Sequence, residues 1–327
     1  METRGDLNTK QNRVAGALIG TFVGDALGMP VEGWSHQRIR EIHGVVDKML
    51  DARLGAGTYT DDTQMMIALT RSMIESQGLN ADHLADSFLE HYEPDRGYGS
   101  GTTQVFQRWQ NGENVHEASE QIFDGGSFGN GGSMRIAPVG VVYGWDPVRL
   151  AEALPIACGI THAHPLGLGG SYLQARSVGL ARKFNGAIDP IAWVEELQET
   201  LPKDFDKDGI LSGKLETMKT MLKQKKQPIE FETVVRDLGC TSKAFESVPA
   251  AIYAFLANPG SFREAVVYAV GIGGDTDTIG AMTGAIAGAR HGVRAVPDTW
   301  WSKLENGEDG RDAIVELAPQ LTQRISV

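Results

Sequence analysis

Thr60-Asp61-Asp62-Thr63 and Asp275-Thr276-Asp277-Thr278 are carboxylate and hydroxyl clusters, each placed just before an apolar stretch of helical period. Asp and Thr are preferred helix caps, and negative charge suits the positive end of a helix, so either cluster alone reads as capping. One such side chain is enough for a cap, however, and neighbouring carboxylates repel each other unless a cation lies between them. The surplus points to a metal. Four carboxylates with threonine hydroxyls form an all-oxygen donor set that suits Mg2+, Mn2+ or Ca2+ and does not suit zinc. A two-metal site is the expectation, with cations about 3.5–4 Å apart orienting a pair of ligand hydroxyls and activating a water.

A second candidate is the loop Phe123 to Arg135, FDGGSFGNGGSMR. Its backbone N–H groups suit a phosphate, and Phe123 and Phe128 suit the faces of a planar base. A surface loop with one buried aromatic is the alternative. The loop matches neither a Walker A nor a GxGxxG pattern, so nucleotide hydrolysis and a Rossmann domain gain no support. Asp95 to Gly101, DRGYGSG, is a further loop with turn chemistry. His162 and His164 are two apart and share no helical face, which favours a ligand contact or a cap over metal chelation. Asp204, Asp206, Asp208 and Gly209 open like a calcium loop, but position twelve is Leu215 and Glu216 falls one residue late. A solvated acidic turn is the expectation there.

Helices must position these groups. Apolar residues recur at three and four spacings almost throughout, and alternating β-branched runs are nearly absent, which predicts an all-α protein. Helices are expected over about 11–28, 61–77, 81–91, 101–111, 130–144, 147–158, 166–184, 190–199, 212–224, 231–238, 244–257, 261–272, 277–292 and 310–324. Gly16, Gly20, Gly24 and Gly28 form a stripe on the first of these, and Gly280, Gly284 and Gly288 form one on another. Glycine inside a helix costs about 1 kcal/mol relative to alanine, so repeated glycine implies close backbone approach. Asp25 lies within the first stripe, and Asp275 and Asp277 lie just before the second.

The composition bounds the rest. With 40 glycines in 327 residues, 41% hydrophobic and 22% charged residues, the chain reads as globular rather than disordered or collagen-like. Area scaling predicts about 13,000 Å2 of exposed surface for this mass. A net charge of −12 disfavours a general nucleic-acid binder and charge-driven membrane binding, so an anionic ligand must be met by local features. No linker divides the chain, and a single domain over 1–327 is expected, with a flexible tail over 1–10. Cys158 and Cys240 show no metal spacing and read as buried free thiols. Residues 14–31 and 265–289 look membrane-like, but Asp25 interrupts the first and Asp275 and Asp277 the second. The polar start METRGDLNTKQNR lacks a signal-peptide pattern, and a cytoplasmic location is expected.

Taken together, Gly24-Asp25-Ala26-Leu27-Gly28, Thr60 to Thr63 and Gly273-Gly274-Asp275-Thr276-Asp277-Thr278 resemble the signatures of the ADP-ribosylglycohydrolase family. Asp95 to Gly99, Gly126 to Arg135, Thr161 to Ala163, Ala244 to Leu256 and the placement of Glu32 resemble the branch that removes ADP-ribose from serine. The resemblance implies an all-α orthogonal helix bundle and two Mg2+ ions, with Mn2+ as a substitute. It implies Thr60, Asp61, Asp62, Asp275, Asp277 and Thr278 as metal ligands. Glu32 would gate the site and act as acid or base, assisted by Asp61 or Asp62. Gly126, Ser127, Phe128, Gly129, Asn130 and His162 would hold ADP-ribose, and Phe123 with Phe128 would flank adenine. The expected partners are ADP-ribose and ADP-ribosylated proteins, for a monomer that uses neither nucleic acid nor membrane. An arginine-linked substrate, a noncatalytic ADP-ribose reader and a helical scaffold are the rival readings.

Overall fold

The computed structural model describes residues 7–224 and 227–324. Its helices are α1 (Thr9–Gly28), α2 (His36–His43), α3 (Asp61–Glu75), α4 (Ala81–Glu90), α5 (Ser100–Gln110), α6 (Val115–Glu120), α7 (Gly131–Met134), α8 (Ala137–Tyr143) and α9 (Pro147–Ala157). They continue with α10 (Pro165–Lys183), α11 (Pro190–Thr200), α12 (Ile210–Leu222), α13 (Phe231–Asp237), α14 (Ala244–Ala257), α15 (Phe262–Gly271), α16 (Thr276–His291), α17 (Asp298–Trp301) and α18 (Arg311–Arg324). No strand occurs among the described residues, only the isolated bridges Ser35–Gly273 and Gly129–Lys243. The all-α reading holds. The exposed surface is 12786 Å2, close to the value that area scaling gives.

Two glycine stripes build the centre. An added Cβ at Gly16 would lie 2.2 Å from the Gly288 carbonyl oxygen, at Gly20 2.0 Å from that of Gly284, and at Gly24 1.9 Å from that of Gly280. At Gly28 it would lie 2.3 Å from that of Thr276, whose hydroxyl donates to the Gly28 carbonyl at 2.9 Å. The helices α1 and α16 thus run antiparallel with their backbones in contact along their length. This register sets the end of α1, with Asp25, beside the start of α16, with Asp275 to Thr278. The span Thr9–Val31 is long and apolar enough to cross a bilayer, yet 94% of its apolar window is buried inside the protein. It is a core helix here.

Glycine without such a neighbour behaves differently. Nothing lies within 4 Å of a Cβ built at Gly213, inside α12. Gly213→Ala is therefore expected to raise stability by about 1 kcal/mol, read as an increase in Tm.

Several expected boundaries move. The helix expected over 130–144 is two helices, because Pro138 lies in the first turn of α8 and Ile136 takes its N-cap position. The short helices α2, α6 and α17 were not expected from periodicity; α2 buries only His36 and Ile39, too few for a stripe. Of the expected tail over 1–10, residues 1–6 lie outside the described residues, and Thr9 and Lys10 already belong to α1, which Asn8 and Gln11 cap reciprocally. Both cysteines are free, but Cys240 is half-buried rather than buried. In the calcium-like stretch, Asp206 accepts from Leu211 N (2.8 Å), Ser212 N (2.9 Å) and Ser212 Oγ (2.6 Å), which makes it a cap of α12.

Candidate active site

The question left by the sequence is whether the acidic clusters are caps. At α3 the capping is done by others. Thr60 Oγ1 accepts from Asp62 N at 3.3 Å, and fully buried Asp25 accepts from Thr60 N (3.0 Å), Thr63 N (3.2 Å) and Thr63 Oγ1 (2.6 Å). At α16, Asp275 occupies the N-cap position without making a side-chain cap. Its carboxylate is held instead by Asn130 Nδ2 at 2.5 Å, and Asn130 Nδ2 also donates to Ser247 Oγ at 3.0 Å. Asp61, Asp62 and Asp275 are therefore surplus to capping. Asp277 accepts from Thr278 N at 2.9 Å, within its own helix turn.

These carboxylates converge. Asp61, Asp62, Asp275, Asp277 and Glu32 line one cleft of about 280 Å3. Carboxylate oxygens of Glu32, Asp275 and Asp277 lie within 4.8 Å of one another, an arrangement that could hold a cation. Asp62 Oδ1 accepts from Thr278 Oγ1 at 3.5 Å, bridging α3 to α16, while Asp62 Oδ2 is buried with no hydrogen-bond partner. A buried carboxylate oxygen left without a donor is costly in a protein interior, and a hard cation is the partner its chemistry fits. Burial and neighbouring carboxylates hold the acids protonated above their usual range. Asp61 is pushed up to about 7 by burial, then Asp25, and Asp275 to about 6 by burial. Burial, then Asp25 and Asp277, holds Asp62 well above the usual carboxylate range, and burial, then Asp275 and Glu32, does the same for Asp277.

Glycine places the backbone that carries Glu32 and Asp275. Gly274 has φ +76, and a Cβ there would lie 2.1 Å from the Cys240 carbonyl oxygen. Gly274 N donates to Trp34 O and Gly33 N donates to Gly274 O, both at 2.8 Å, and Asp275 N donates to Cys240 O at 2.8 Å. The Glu32 turn is thereby stitched to the start of α16.

The glycine-rich loop forms the facing wall. Asn130 N donates to Ser242 O (2.8 Å) and Ala244 N to Phe128 O (3.0 Å), which pins the loop to the start of α14. Ser127, Gly129, Asn130, His162 and Phe123 line the cleft, whereas Gly126 and Phe128 do not. The Phe128 ring packs against His164 and Phe245, with centroids 5.5 and 5.8 Å away, so the expected pair of phenylalanines does not face the cleft as a pair. Of the two expected threonine ligands, Thr278 lines the cleft, whereas Thr60 is fully buried and does not.

Sequence reasoning assigned no role to Arg135, which is fully buried. It donates to Gly131 O (2.8 Å), Ala157 O (3.0 Å) and Thr161 Oγ1 (2.7 Å). Burial lowers Arg135 to about 10, and burial, then Arg135, lowers His162 to about 3, so His162 is a neutral imidazole at neutral pH. Thr161 Oγ1 sits 2.8 Å from His162 Nδ1, which orients the ring towards the cleft wall, where a Cβ at Gly131 would meet it at 2.5 Å. Thr161 and Met134 also line the cleft, as do Ser242 and Arg53, which lie outside the sequence motifs.

Asp25 was legible as part of a glycine stripe, and its work proves to be holding the first turn of α3. Asp25→Asn would place an amide donor against the Thr60 N–H. The expected result is a loss of about 2 kcal/mol of stability, together with loss of metal-induced stabilisation, both read from melting curves.

An all-α fold whose core helices present carboxylates to one cleft fits a glycosidase-type hydrolase of the ADP-ribosylglycohydrolase class. The chain belongs to the ADP-ribosylglycohydrolase family: the family profile, described as "ADP-ribosylglycohydrolase", matches residues 6–327. It is 32% identical to ADP-ribosylhydrolase ARH3 of Mus musculus, over 91% of this chain and 89% of that one. It is equally 32% identical to ADP-ribosylhydrolase ARH3 of Homo sapiens, over 91% and 90%. Among solved structures it resembles one described as "ADP-ribosylglycohydrolase-related protein complex", with a TM-score of 0.73 and 27% identity, covering 98% of this chain and all of that one.

Proposed function

We propose that this protein is a Mg2+-dependent hydrolase that removes serine-linked ADP-ribose from proteins, and that it also cleaves poly(ADP-ribose) and O-acetyl-ADP-ribose. The observation that carries the reading is the set of carboxylates that converge on one cleft without serving as side-chain caps, with a buried Asp62 oxygen lacking any donor. The similarity to the ARH3 hydrolases supports the substrate class. Asp61, Asp62, Asp275, Asp277, Thr278 and Thr60 are the residues assigned to two metal ions, with Glu32 close enough to share them. Bound divalent cations supply charge neutralisation, a hold on vicinal ribose hydroxyls and Lewis acidity.

The chain's own residues do the rest. The Ser127 to Asn130 loop and neutral His162 hold the diphosphate and its ribose, and Phe123 covers the adenine face. The acidic floor stabilises positive charge developing at C1″ of the distal ribose. Glu32, exposed at the mouth, gates the cleft and moves a proton at the scissile oxygen or the attacking water. The protein acts as a cytoplasmic, single-domain monomer on this reading. The test compares matched serine-linked and arginine-linked ADP-ribosyl peptides in Mg2+. Release from serine at least about 100-fold faster is expected; equal or reversed rates overturn the linkage, and tight ADP-ribose binding without turnover overturns the enzyme.

A pH prediction follows from the raised carboxylates. Their folded pKa values lie above the ordinary value near 4, so their protonated forms favour the fold at low pH, and that contribution is lost as pH rises through about 6–7. Metal ions compete with the same protons. The Tm increase on adding Mg2+ to chelator-treated protein is therefore expected to be much larger at pH 8 than at pH 5. Equal increases at both pH values would contradict the assignment.

A further inference from the structure

Arg53 is the one cationic side chain among the described residues lining the cleft, whose lining also holds five carboxylates. It lies in the irregular segment between α2 and α3 and is exposed. Arg53 Nη1 donates to Asp95 O at 3.0 Å and Nη2 to Arg96 O at 3.4 Å. A Cβ at Gly97, where φ is +105, would lie 2.4 Å from Nη2. Both bonds are to neutral carbonyls. Bracing the 95–97 loop needs only a donor, so the positive charge itself is left for something else.

Its position says what that is. The loop that Arg53 grips is tied to the start of α3, since Arg96 Nη1 donates to Tyr59 O (3.0 Å) and Tyr98 Oη to Gln64 Oε1 (2.8 Å). Arg53 is thus braced, through that loop, on the element that carries Asp61 and Asp62, and its exposed side chain belongs to the same cleft lining as they do. On the function proposed above, on which this inference rests, the distal ribose lies at those carboxylates and its C1″ carries the acceptor. The acceptor and its flanking residues then extend from the cleft to the protein surface, where the exposed Arg53 is the cation they can meet.

We propose that Arg53 selects the acceptor by charge. A guanidinium there repels an arginine-linked or lysine-flanked acceptor and attracts one flanked by aspartate or glutamate. Such juxtaposed charges change encounter and binding rather than the bond-breaking step, so the effect falls on kcat/KM through KM.

The test uses the full chain in Mg2+ with two serine-ADP-ribosylated peptides that differ only in acidic or basic flanking residues. Wild type is expected to prefer the acidic peptide by about three- to tenfold in kcat/KM, with the preference shrinking in about 0.5 M salt. Arg53→Lys should retain the preference, Arg53→Ala should abolish it, and Arg53→Glu should invert it. If Arg53→Ala and Arg53→Glu slow both peptides equally, Arg53 only braces its loop and the proposal is overturned. An unchanged preference in Arg53→Glu overturns it too. If wild type releases ADP-ribose from neither peptide, the functional reading itself fails and this inference falls with it.

Discussion

Asp62→Asn is expected to abolish hydrolysis while leaving a folded and, without metal, slightly more stable protein. Asp62 bridges the two acidic turns through Thr278, and its second oxygen has no protein partner. Burial and the charges of Asp25 and Asp277 already disfavour its ionised form. An amide of the same shape removes that repulsion and with it a ligand charge. Removing a ligand to a catalytic cation should cost about a thousandfold or more in kcat, about 4 kcal/mol at 1.36 kcal/mol per decade. At the same time Tm in chelator should rise by a few degrees at pH 8, and the Mg2+-induced increase should disappear. Retained turnover, or a large loss of stability in chelator, would show that Asp62 serves the fold and not the chemistry.

The second large effect is on the helix pair behind the site. Gly24→Ala would put a Cβ 1.9 Å from the Gly280 carbonyl oxygen and 2.6 Å from Ala281 N, all of it backbone that no side-chain rotation relieves. The gain in helix propensity is about 1 kcal/mol, and overpacking at such a contact costs about 3 kcal/mol or more, so a net loss follows. The helices can accommodate the methyl only by separating. Because Gly24 precedes Asp25 and Gly280 closely follows Thr278, separation also shifts the first turn of α3 relative to the first turn of α16. Melting curves should show a large fall in Tm together with weakened Mg2+ stabilisation, while Gly213→Ala moves Tm the other way. A Gly24→Ala protein with unchanged Tm would mean that the two stripes are not in contact.

The same glycines show where a sequence can be read and where it stops. Spacing of four within one helix is local, so both stripes were visible, along with the inference that some backbone approaches closely. That Gly24 meets Gly280 was not visible, since the partners are some 250 residues apart and nothing local encodes the pairing. The acidic turns were legible as an excess over capping need, but only the fold shows that Asp25 takes over the capping of α3 and Asn130 holds Asp275. Phe128 has the composition of a base clamp, and its ring is drawn away by His164 and Phe245. Arg135 closes the glycine-rich loop without any sign of its role, and Ser242 carries no local pattern. Their importance arises from where tertiary packing puts them, beneath His162 and beside Asn130. Helix α2 buries two residues and so leaves no apolar stripe in the sequence, and Ser35 at its N-cap is its one local start signal.

The most direct measurement is release of free ADP-ribose from a homogeneous serine-ADP-ribosylated peptide, quantified by mass spectrometry with Mg2+ and after exhaustive chelation. The expected result is multiple turnover to ADP-ribose and unmodified serine peptide in Mg2+, its loss in chelator, and its restoration by Mg2+ or Mn2+. Release at the same rate in chelator would contradict the metal role of the carboxylates on α3 and α16, and no release in either condition would contradict the hydrolase assignment for this linkage.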